Sequence, residues 1–476
     1  MKIVILGAGQ VGASVAEALV HEANDITIVD NDRERLAALQ DRLDLRTVCG
    51  NAALPSILGD AGLDDADLLI AVTQSDQTNL VACKIAKSRF NVPTRIARLR
   101  AADFLEDEQL LSDENFAVDF AICPEENITD YIVRLVDFPE ALQVLEFAEG
   151  RLVMVAVRAY EGGALVGKPV RKLREHLPSQ VDARIAALFR QDQPIIPEGE
   201  TVIHAGDEVF IIAASEHIRP VLRELRRMMR PVKRVMIAGG GNIGYRVATA
   251  LQQRLEVKLV EHNRSRAEWI APRLGDTLVL CGDATDEDLL EQENIAEMDL
   301  FLALTNDDED NIMAASLAKR LGCQRVLALI NRRAYADMVQ GGPIDIGISP
   351  AQVSIGTLLA HVRRADVSQV HSLRRGAAEA LELVAHGDRN SSRVVGRSLG
   401  EIPLPKGVTI AAIVRDLETP EIIGYQGPVG IQAYGHVVIA HRDTVIQSGD
   451  HVIVFCVNKK LVHKVEKLFQ VGFGFL

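Results

Sequence analysis

The chain contains the same sequence pattern twice, with an offset of 232 residues between the copies. When Lys2–Leu19 is aligned with Arg234–Leu251, eight of the eighteen positions are identical. The same offset relates five further pairs: Asp67, Ala71, Thr73, Asp76 and Asn79 match Asp299, Ala303, Thr305, Asp308 and Asn311. Solenoid repeats are much shorter, roughly 20–50 residues. We therefore predict that one complete domain occurs twice in this chain.

Within each copy, short apolar segments alternate with segments of helical periodicity. In the first copy the predicted strands are Ile3–Leu6, Ile26–Val29, Leu45–Val48, Leu68–Val72, Thr94–Ala97 and Val118–Ile122. Strands separated by helices form βαβ units in a parallel sheet. Hydrophobic residues make up 48% of the chain but aromatic residues only 4%, so Val, Ile, Leu and Ala must build the cores. This suits sheets that helices cover on both faces, and it predicts a doubly wound, Rossmann-like α/β domain in each copy.

A shorter pattern follows each copy. Ala186–Arg190 and Thr201–Asp207 in the first half match Ala411–Arg415 and Thr444–Asp450 in the second. These segments predict small α/β modules with a Gly-Asp turn between two strands. The predicted boundaries are 1–138 and 233–364 for the Rossmann-like domains, 139–226 and 365–476 for the small modules, and 227–232 for a linker. No role is assigned to the glycine- and proline-rich segment 418–436.

A Gly-x-Gly-x-x-Gly loop follows the first predicted strand of each copy and opens a helix. The first glycine permits a tight turn, the second lets the backbone approach a pyrophosphate, and the third allows close packing of helix on strand. The N–H groups at the helix N-terminus then face the phosphate anion. The loops are Gly7, Ala8, Gly9, Gln10, Val11 and Gly12, and Gly239, Gly240, Gly241, Asn242, Ile243 and Gly244.

An acidic residue ends the second predicted strand of each copy: Asp30 in the first and Glu261 in the second. A carboxylate at this place accepts hydrogen bonds from ribose hydroxyls and repels a 2′-phosphate, which favours NAD or adenosine nucleotides over NADP. Four nearby arginines would soften that repulsion: Arg33, Arg35, Arg264 and Arg266. The alternative is a Rossmann core whose glycines serve packing alone, and this alternative is more credible in the second half.

Further polar residues follow the other predicted strands. Asn51 and Asp283 come just after the third strand, where they would either contact the adenine end of a nucleotide or cap the next helix. Thr73 and Thr305 end the fourth strand, on the side of the sheet where ligands bind.

Arg98 ends the fifth predicted strand of the first copy and suits bidentate phosphate contact. A constant offset places Ile330 at the equivalent position of the second copy. The two sites are therefore expected to differ in phosphate affinity, unless Arg332 or Arg333 substitutes from nearby.

Composition and motifs exclude several classes of function. The formal net charge of −14 argues against a general nucleic-acid binder. The six cysteines are scattered without a Cys-x-x-Cys pair, so we expect neither a metal site nor disulfides, and a reducing compartment is favoured. No signal peptide or membrane-spanning segment is predicted. No motif for a catalytic acid, base or nucleophile accompanies the loops, so we predict no enzymatic activity; an NAD-dependent oxidoreductase is the alternative.

Taken together, these motifs resemble the tandem RCK (regulator of conductance of potassium) family. The resemblance covers essentially the whole length. It rests on both glycine loops with their acids, on the two small modules, and on Gly50–Ala52 with Gly282–Ala284, Ala71–Thr73 with Ala303–Thr305, and Ile96–Arg98.

The resemblance implies a regulatory protein that binds NAD(H), ATP or ADP and controls a potassium-uptake channel. The expected partner is a TrkH- or TrkG-like membrane subunit, met at the cytoplasmic face of the inner membrane, and four tandem chains would form a ring. Carried over by motif, the first site comprises Gly7 to Val11, Asp30, Thr73, Gln74 and Arg98. The second comprises Gly239 to Ile243, Glu261 and Thr305.

Overall fold

The computed structural model describes residues 1–20, 24–191, 193–225, 230–332, 335, 339, 342–363, 366–373, 377–421 and 433–471. Part of the predicted linker, residues 227–229, therefore lies outside the described residues. So does 422–432, the middle of the segment without an assigned role, and so does Arg333.

The first copy folds as six parallel strands joined by helices. The strands are β1 (Lys2–Leu6), β2 (Asp25–Asp30), β3 (Arg46–Cys49), β4 (Leu68–Ala71), β5 (Thr94–Arg98) and β6 (Phe120–Ile122). The helices are α1 (Gln10–Val20), α2 (Arg33–Gln40), α3 (Pro55–Asp60), α4 (Asp76–Ile85), α5 (Ala102–Leu105), α6 (Glu108–Leu111) and α7 (Pro124–Asp137). The spatial order β3-β2-β1-β4-β5-β6 is that of a doubly wound domain with its switch point between β1 and β4.

In the chain segment after β6, a small module of five strands and two short helices precedes the second copy. The strands are β7 (Ala141–Phe147), β8 (Leu152–Arg158), β9 (Ala183–Arg190), β10 (Gln193–Ile195) and β11 (Glu208–Ala214). The helices are α8 (Leu173–His176) and α9 (Ile218–Arg223). The sheet has the order β10-β9-β11-β8-β7, and its recorded pairings are antiparallel.

The second copy repeats the parallel sheet, and the predicted fold class is confirmed. Its strands are β12 (Arg234–Ala238), β13 (Glu256–Glu261), β14 (Thr277–Cys281), β15 (Leu300–Ala303), β16 (Arg325–Leu329) and β17 (Ile346–Ile348). Its helices are α10 (Asn242–Leu251), α11 (Arg264–Ile270), α12 (Glu287–Gln292), α13 (Asp308–Arg320) and α14 (Pro350–Val362). The strand order β14-β13-β12-β15-β16-β17 matches that of the first copy.

The second small module mirrors the first. Its elements are β18 (Val367–Leu373), β19 (Ala378–Val384), β20 (Val408–Glu421), β21 (Ala433–Ile439), β22 (His451–Cys456) and α15 (Val462–Phe469). The strand order is β18-β19-β22-β20-β21, again with antiparallel pairing. The Gly-Asp turns precede β11 and β22, and each buried aspartate binds an arginine of the neighbouring strand: Asp207 binds Arg190, and Asp450 binds Arg415.

The chain forms two compact units, each built from two separate segments. The first unit contains residues 1–133 and 232–358, which are the two Rossmann-like copies, and the second contains 134–231 and 359–476, which are the two small modules. In the second unit, one buried apolar cluster draws residues from both modules, among them Phe147, Phe210 and Phe455. Neither small module therefore completes this core alone. None of the described helices is long and apolar enough to cross a membrane.

Candidate functional site

A cleft of about 1530 Å³ in the first unit is lined by both Rossmann-like copies. We call its two parts the first crevice and the second crevice, after the copy that lines each. Contacts between the copies lie nearby: Arg246 Nη2 donates to the Arg100 carbonyl at 3.4 Å, and Asn127 Nδ2 donates to Thr357 Oγ1 at 3.3 Å. The duplicated motifs therefore open into one shared space.

The glycine loops have the backbone geometry that the motif requires. Gly7 has a φ of +106°, which favours glycine, and a Cβ on Gly12 would lie 1.8 Å from the Gly7 carbonyl oxygen. By contrast, a Cβ on Gly9 would meet no atom within 4 Å, so this glycine borders open space where a pyrophosphate can approach. The second loop repeats all three features, at Gly239, Gly244 and Gly241.

The acids at the ends of β2 and β13 fasten the glycine loops. Ala8 N–H donates to Asp30 Oδ2 at 2.6 Å, and Asp32 N–H donates to Asp30 Oδ1 at 2.9 Å. In the second crevice, Gly240 N–H donates to Glu261 Oε2 at 2.7 Å. Each carboxylate oxygen has more than one lone pair, so both acids retain acceptor capacity for ribose hydroxyls.

The four arginines near these acids have different surroundings. Arg35 lines the first crevice and pairs with Asp32 at 3.1 Å, whereas Arg33 and Arg264 are exposed and do not line the cleft. Arg266 lines the second crevice, where its Nε donates to the Gly240 carbonyl at 2.8 Å. Only two of the four arginines are therefore placed to act on a bound nucleotide.

A buried asparagine that the sequence reasoning did not assign to the site joins β4 to β5. Asn79 Oδ1 accepts hydrogen bonds from Thr73 N–H at 3.0 Å and Thr73 Oγ1 at 2.7 Å, and its Nδ2 donates to the Arg98 carbonyl at 2.8 Å. Asn79 has no exposed surface. Its identity in both copies was the available signal, because only a residue with both donor and acceptor can make this bridge.

The same bridge in the second copy corrects the assignment of the residue equivalent to Arg98. Asn311 Nδ2 donates to the carbonyl of Leu329 at 3.0 Å, so Leu329 and not Ile330 occupies that place. The constant offset is wrong by one residue here. In the first copy α4 continues into a π-helical turn, Ala86–Phe90, whereas α13 of the second copy is α-helical from Asp308 to Arg320. A π-helical turn accommodates an inserted residue.

Arg98 forms an ion pair at the floor of the first crevice. Its Nη2 donates to Glu125 Oε1 at 2.9 Å, and both side chains are largely buried. Arg98 lines the cleft, and a guanidinium has five N–H donors, so its hydrogen bond to Glu125 leaves donors for a ligand. In the second crevice the corresponding residues, at the end of β16 and the start of α14, are Leu329 and Ala351.

Of the two arginines that could substitute for Arg98 in the second crevice, Arg333 lies outside the described residues and Arg332 is engaged elsewhere. Arg332 Nη1 donates to Glu309 Oε1 at 2.7 Å and to the Tyr335 hydroxyl at 2.9 Å, and Arg332 does not line the cleft. Among the described residues, the first crevice therefore has an arginine at the end of its fifth strand and the second has Leu329. The difference in phosphate affinity stays a prediction.

Asn51 and Asp283 occupy equivalent turns after β3 and β14. Each accepts a backbone hydrogen bond from two residues ahead, from Ala53 at 2.9 Å and from Thr285 at 2.8 Å. The bond from Thr285 N–H lowers the pKa of Asp283 below its usual value. Neither residue caps the following helix, since the caps are Leu54 and Asp286. Asn51 lines the first crevice, whereas Asp283 does not line the cleft.

Most of the remaining predicted residues line the cleft, whereas Gly12, Gly240 and Gly244 do not. Gln74, Gln10, Val11, Asn242, Ile243 and Thr305 all line the cleft. Thr305 is held like Thr73, with its hydroxyl donating to Asn311 Oδ1 at 2.8 Å. Among the described residues, no group of three or more His, Cys, Asp and Glu side chains is arranged to hold a metal ion.

Comparison with known proteins places these features in a family. The model of the TrkA-N domain matches residues 3–124 and 235–350, and that of the TrkA-C domain matches residues 154–226. Trk system potassium uptake proteins TrkA are similar along their whole length. The protein from Vibrio alginolyticus is 54% identical, covering 99% of both chains. That from Halomonas elongata is 54% identical, covering 100% of both, and that from Haemophilus influenzae is 48% identical, covering 99% of both.

Solved structures share the fold. The crystal structure of the GsuK RCK domain superimposes with a TM-score of 0.59 at 18% identity, covering 98% of this chain and 94% of that one. The GsuK channel bound to NAD gives a TM-score of 0.59 at 17% identity, covering 98% and 78%. The paired Rossmann-like copies and small modules thus have the RCK fold, and by its similarity to full-length relatives the chain belongs to the TrkA family of Trk system potassium uptake proteins.

Proposed function

We propose that this potassium uptake protein is a non-catalytic regulatory subunit that binds NAD(H), ATP or ADP in the cleft of its first unit. The nucleotide state would control a TrkH- or TrkG-like channel subunit at the cytoplasmic face of the inner membrane. The observation that carries the proposal is the duplicated glycine loop with its acid, both copies of which line one cleft. The GsuK channel, which shares this fold, was solved with NAD bound.

The geometry of the first crevice supports the proposed binding of a nucleotide. The N-terminus of α1 would hold the pyrophosphate beside Gly9, and Asp30 would accept hydrogen bonds from the ribose. Arg98 would bind phosphate through the donors that its ion pair with Glu125 leaves unused, since guanidinium groups suit phosphate oxygens. Thr73 and Gln74 line the path between these groups.

A regulatory role fits the cleft better than hydride transfer. An oxidoreductase needs an acid or base held near the reacting carbon of its substrate. Among the described residues that line the cleft, the histidine is His262, whose side chain is 84% exposed and lies beside Glu261 at the ribose end. His262 is therefore far from the nicotinamide of a bound dinucleotide. The acidic side chains at the nicotinamide end are Glu125, which is paired with Arg98, and the exposed Asp307 and Asp310. Because no histidine accompanies them among the described lining residues, we propose binding without turnover.

Regulation requires that the ligand bind two shapes of the protein with different affinity. Assembly into a ring of four chains would supply such shapes. Two exposed apolar side chains at equivalent places support repeated contact between chains: Val81 on α4 and Met313 on α13 are 39% and 63% exposed. Burying both in contacts between subunits would remove apolar surface from water at the same place in each copy.

The test combines binding with channel activity. Gly9→Asp and Gly241→Asp would each place a carboxylate in a pyrophosphate seat that has room for it, and Gly275→Asp is the matched control at an exposed turn where a Cβ also meets no atom. We expect wild type and the control to bind NADH and ATP, and each crevice variant to lose one site. Potassium flux through the reconstituted channel should follow occupancy. NADH consumption with any of a panel of carbonyl substrates would instead support the oxidoreductase alternative, and absence of nucleotide binding would refute both.

A further inference from the structure

The two crevices differ in charge where α4 and α13 begin. Ser75 and Thr78 line the first crevice, and Asp307 and Asp310 line the second. Ser75 and Asp307 cap their helices in the same way. Ser75 Oγ accepts a hydrogen bond from Thr78 N–H at 3.1 Å, and Asp307 Oδ1 accepts one from Asp310 N–H at 3.0 Å. The helix cap therefore does not require the two carboxylates. Among the described residues, neither aspartate forms an ion pair.

The difference continues at the ends of the fifth strands. Arg98 and Arg100 line the first crevice, and Leu329 and Asn331 line the second. Arg100 and Asn331 occupy equivalent positions, because each donates its backbone N–H at 2.8 Å to the first aspartate of a helix in its own copy: Arg100 to Asp76 of α4, and Asn331 to Asp308 of α13. The glutamate that pairs with Arg98 is likewise replaced by Ala351. Among the described residues that line it, this end of the crevice thus carries two arginines and one glutamate in the first copy, but two aspartates and no arginine in the second.

These residues face the part of a nucleotide beyond its pyrophosphate. In a doubly wound domain the glycine loop holds the pyrophosphate and the acid after the second strand holds the adenosine ribose, so the ligand continues over the carboxyl ends of the fourth to sixth strands. For ATP that part is the terminal phosphate. For a nicotinamide dinucleotide it is the nicotinamide riboside, whose ring is a cation when oxidised and neutral when reduced.

We propose that the second crevice selects the oxidised nicotinamide dinucleotide, NAD⁺, over both NADH and ATP; this rests on the proposed nucleotide-binding function. Leu329 and Ala351, both uncharged and buried, stand where the first crevice has Arg98 and Glu125, so no arginine at this position repels the cationic ring. Asp307 and Asp310 attract its positive charge and repel a terminal phosphate. The first crevice has the opposite preference, because Arg98 and Arg100 favour a triphosphate.

The size of the effect follows from Coulomb's law. We take a cationic ring about 6 Å from a carboxylate at the protein surface, and an effective dielectric constant between that of water and about 20. The attraction then makes the cationic ligand bind about tenfold more tightly than one with a neutral ring. The surface position also means that salt screens the preference, with a Debye length of about 10 Å at 0.1 M. We therefore expect NAD⁺ to bind the second crevice about tenfold more tightly than NADH at low salt, and less selectively at high salt.

Titration calorimetry on the full-length protein with one crevice disabled tests the proposal. Gly9→Asp leaves the second crevice to be measured and Gly241→Asp leaves the first, each titrated with NAD⁺, NADH and ATP. Adding Asp307→Ser and Asp310→Thr to Gly9→Asp installs the side chains of the first copy while keeping a helix-capping hydroxyl. We expect this triple variant to bind NAD⁺ and NADH within about twofold of each other and to bind ATP better than its parent.

The outcomes separate this inference from the proposed function. If Gly9→Asp binds NAD⁺ and NADH equally, or prefers ATP, the selectivity of the second crevice is refuted while nucleotide binding stands. If the preference for NAD⁺ is present but survives Asp307→Ser with Asp310→Thr, the two carboxylates are not its cause. If wild type binds none of the three ligands, the proposed function itself fails.

Discussion

Asn79→Ala is the substitution that most directly tests how the first crevice is held in shape. The side chain has no exposed surface and bridges Thr73, just after β4, to Arg98, at the end of β5. Removing it leaves the Thr73 N–H and the Arg98 carbonyl without this partner. Each group left unsatisfied costs about 1–3 kcal/mol. The higher helix propensity of alanine in α4 offsets about 0.5 kcal/mol of this loss in stability.

The net local destabilisation is therefore about 1.5–5.5 kcal/mol, which corresponds to exchange of the Thr73 amide hydrogen roughly 10-fold to 10,000-fold faster through local opening. Hydrogen-exchange mass spectrometry of peptides covering residues 72–79 measures this directly. Asn311→Ala is the matched control, because it removes the same bridge in the second copy. It should accelerate exchange at residues 304–311 and leave 72–79 unchanged. Unchanged exchange at Thr73 in Asn79→Ala, or equal acceleration of both segments by either variant, would refute the reasoning.

Three further predictions concern the loop, the second unit and the thiols. Gly12→Ala places a Cβ 1.8 Å from a backbone oxygen, so NADH affinity of the first crevice, measured in the Gly241→Asp background, should fall at least about 100-fold; wild-type affinity would contradict this. Arg363→Ala breaks a buried ion pair of 2.8 Å with a glutamate of β19 and should cost about 3–5 kcal/mol in denaturant unfolding, with a smaller loss when both partners are removed. Burial raises the pKa of Cys83 to about 12, so a thiol reagent at pH 8 should react at once with the exposed Cys49 and Cys281 and reach all six cysteines only after unfolding.

The fold was predictable because its signals are local and occur twice. Alternating apolar and helical segments specified the six strands of each parallel sheet, and the glycine loops and acids marked the carboxyl ends of those strands. The antiparallel first strands of the small modules, β7 and β18, were not predicted. Buried residues do not alternate regularly with more exposed ones in either strand, and the sequence ALQVLEF of β7 is equally compatible with the end of the preceding helix.

The parts of the site that sequence could not supply depend on register and on side-chain partners. A single inserted residue in the π-helical turn shifted the equivalence of Arg98 from Ile330 to Leu329, and the hydrogen bonds of Asn311 and Asp308 show this. The pairing of Arg98 with Glu125 joins the end of β5 to the start of α7, 27 residues further along the chain. Polar pairs of this kind are set by tertiary packing, which periodicity does not encode.

The shared apolar cluster of the second unit has a consequence for synthesis of the chain. Strands β8 and β11 are complete early, but β22, which contributes Phe455 to the same cluster, is translated roughly 240 residues later, after roughly 10–50 s at typical elongation rates. During that interval the nascent first module exposes an apolar face that has no native cover. We expect the isolated amino-terminal half to pair with itself or to require a chaperone, since the face that closes the core is encoded only in the second half.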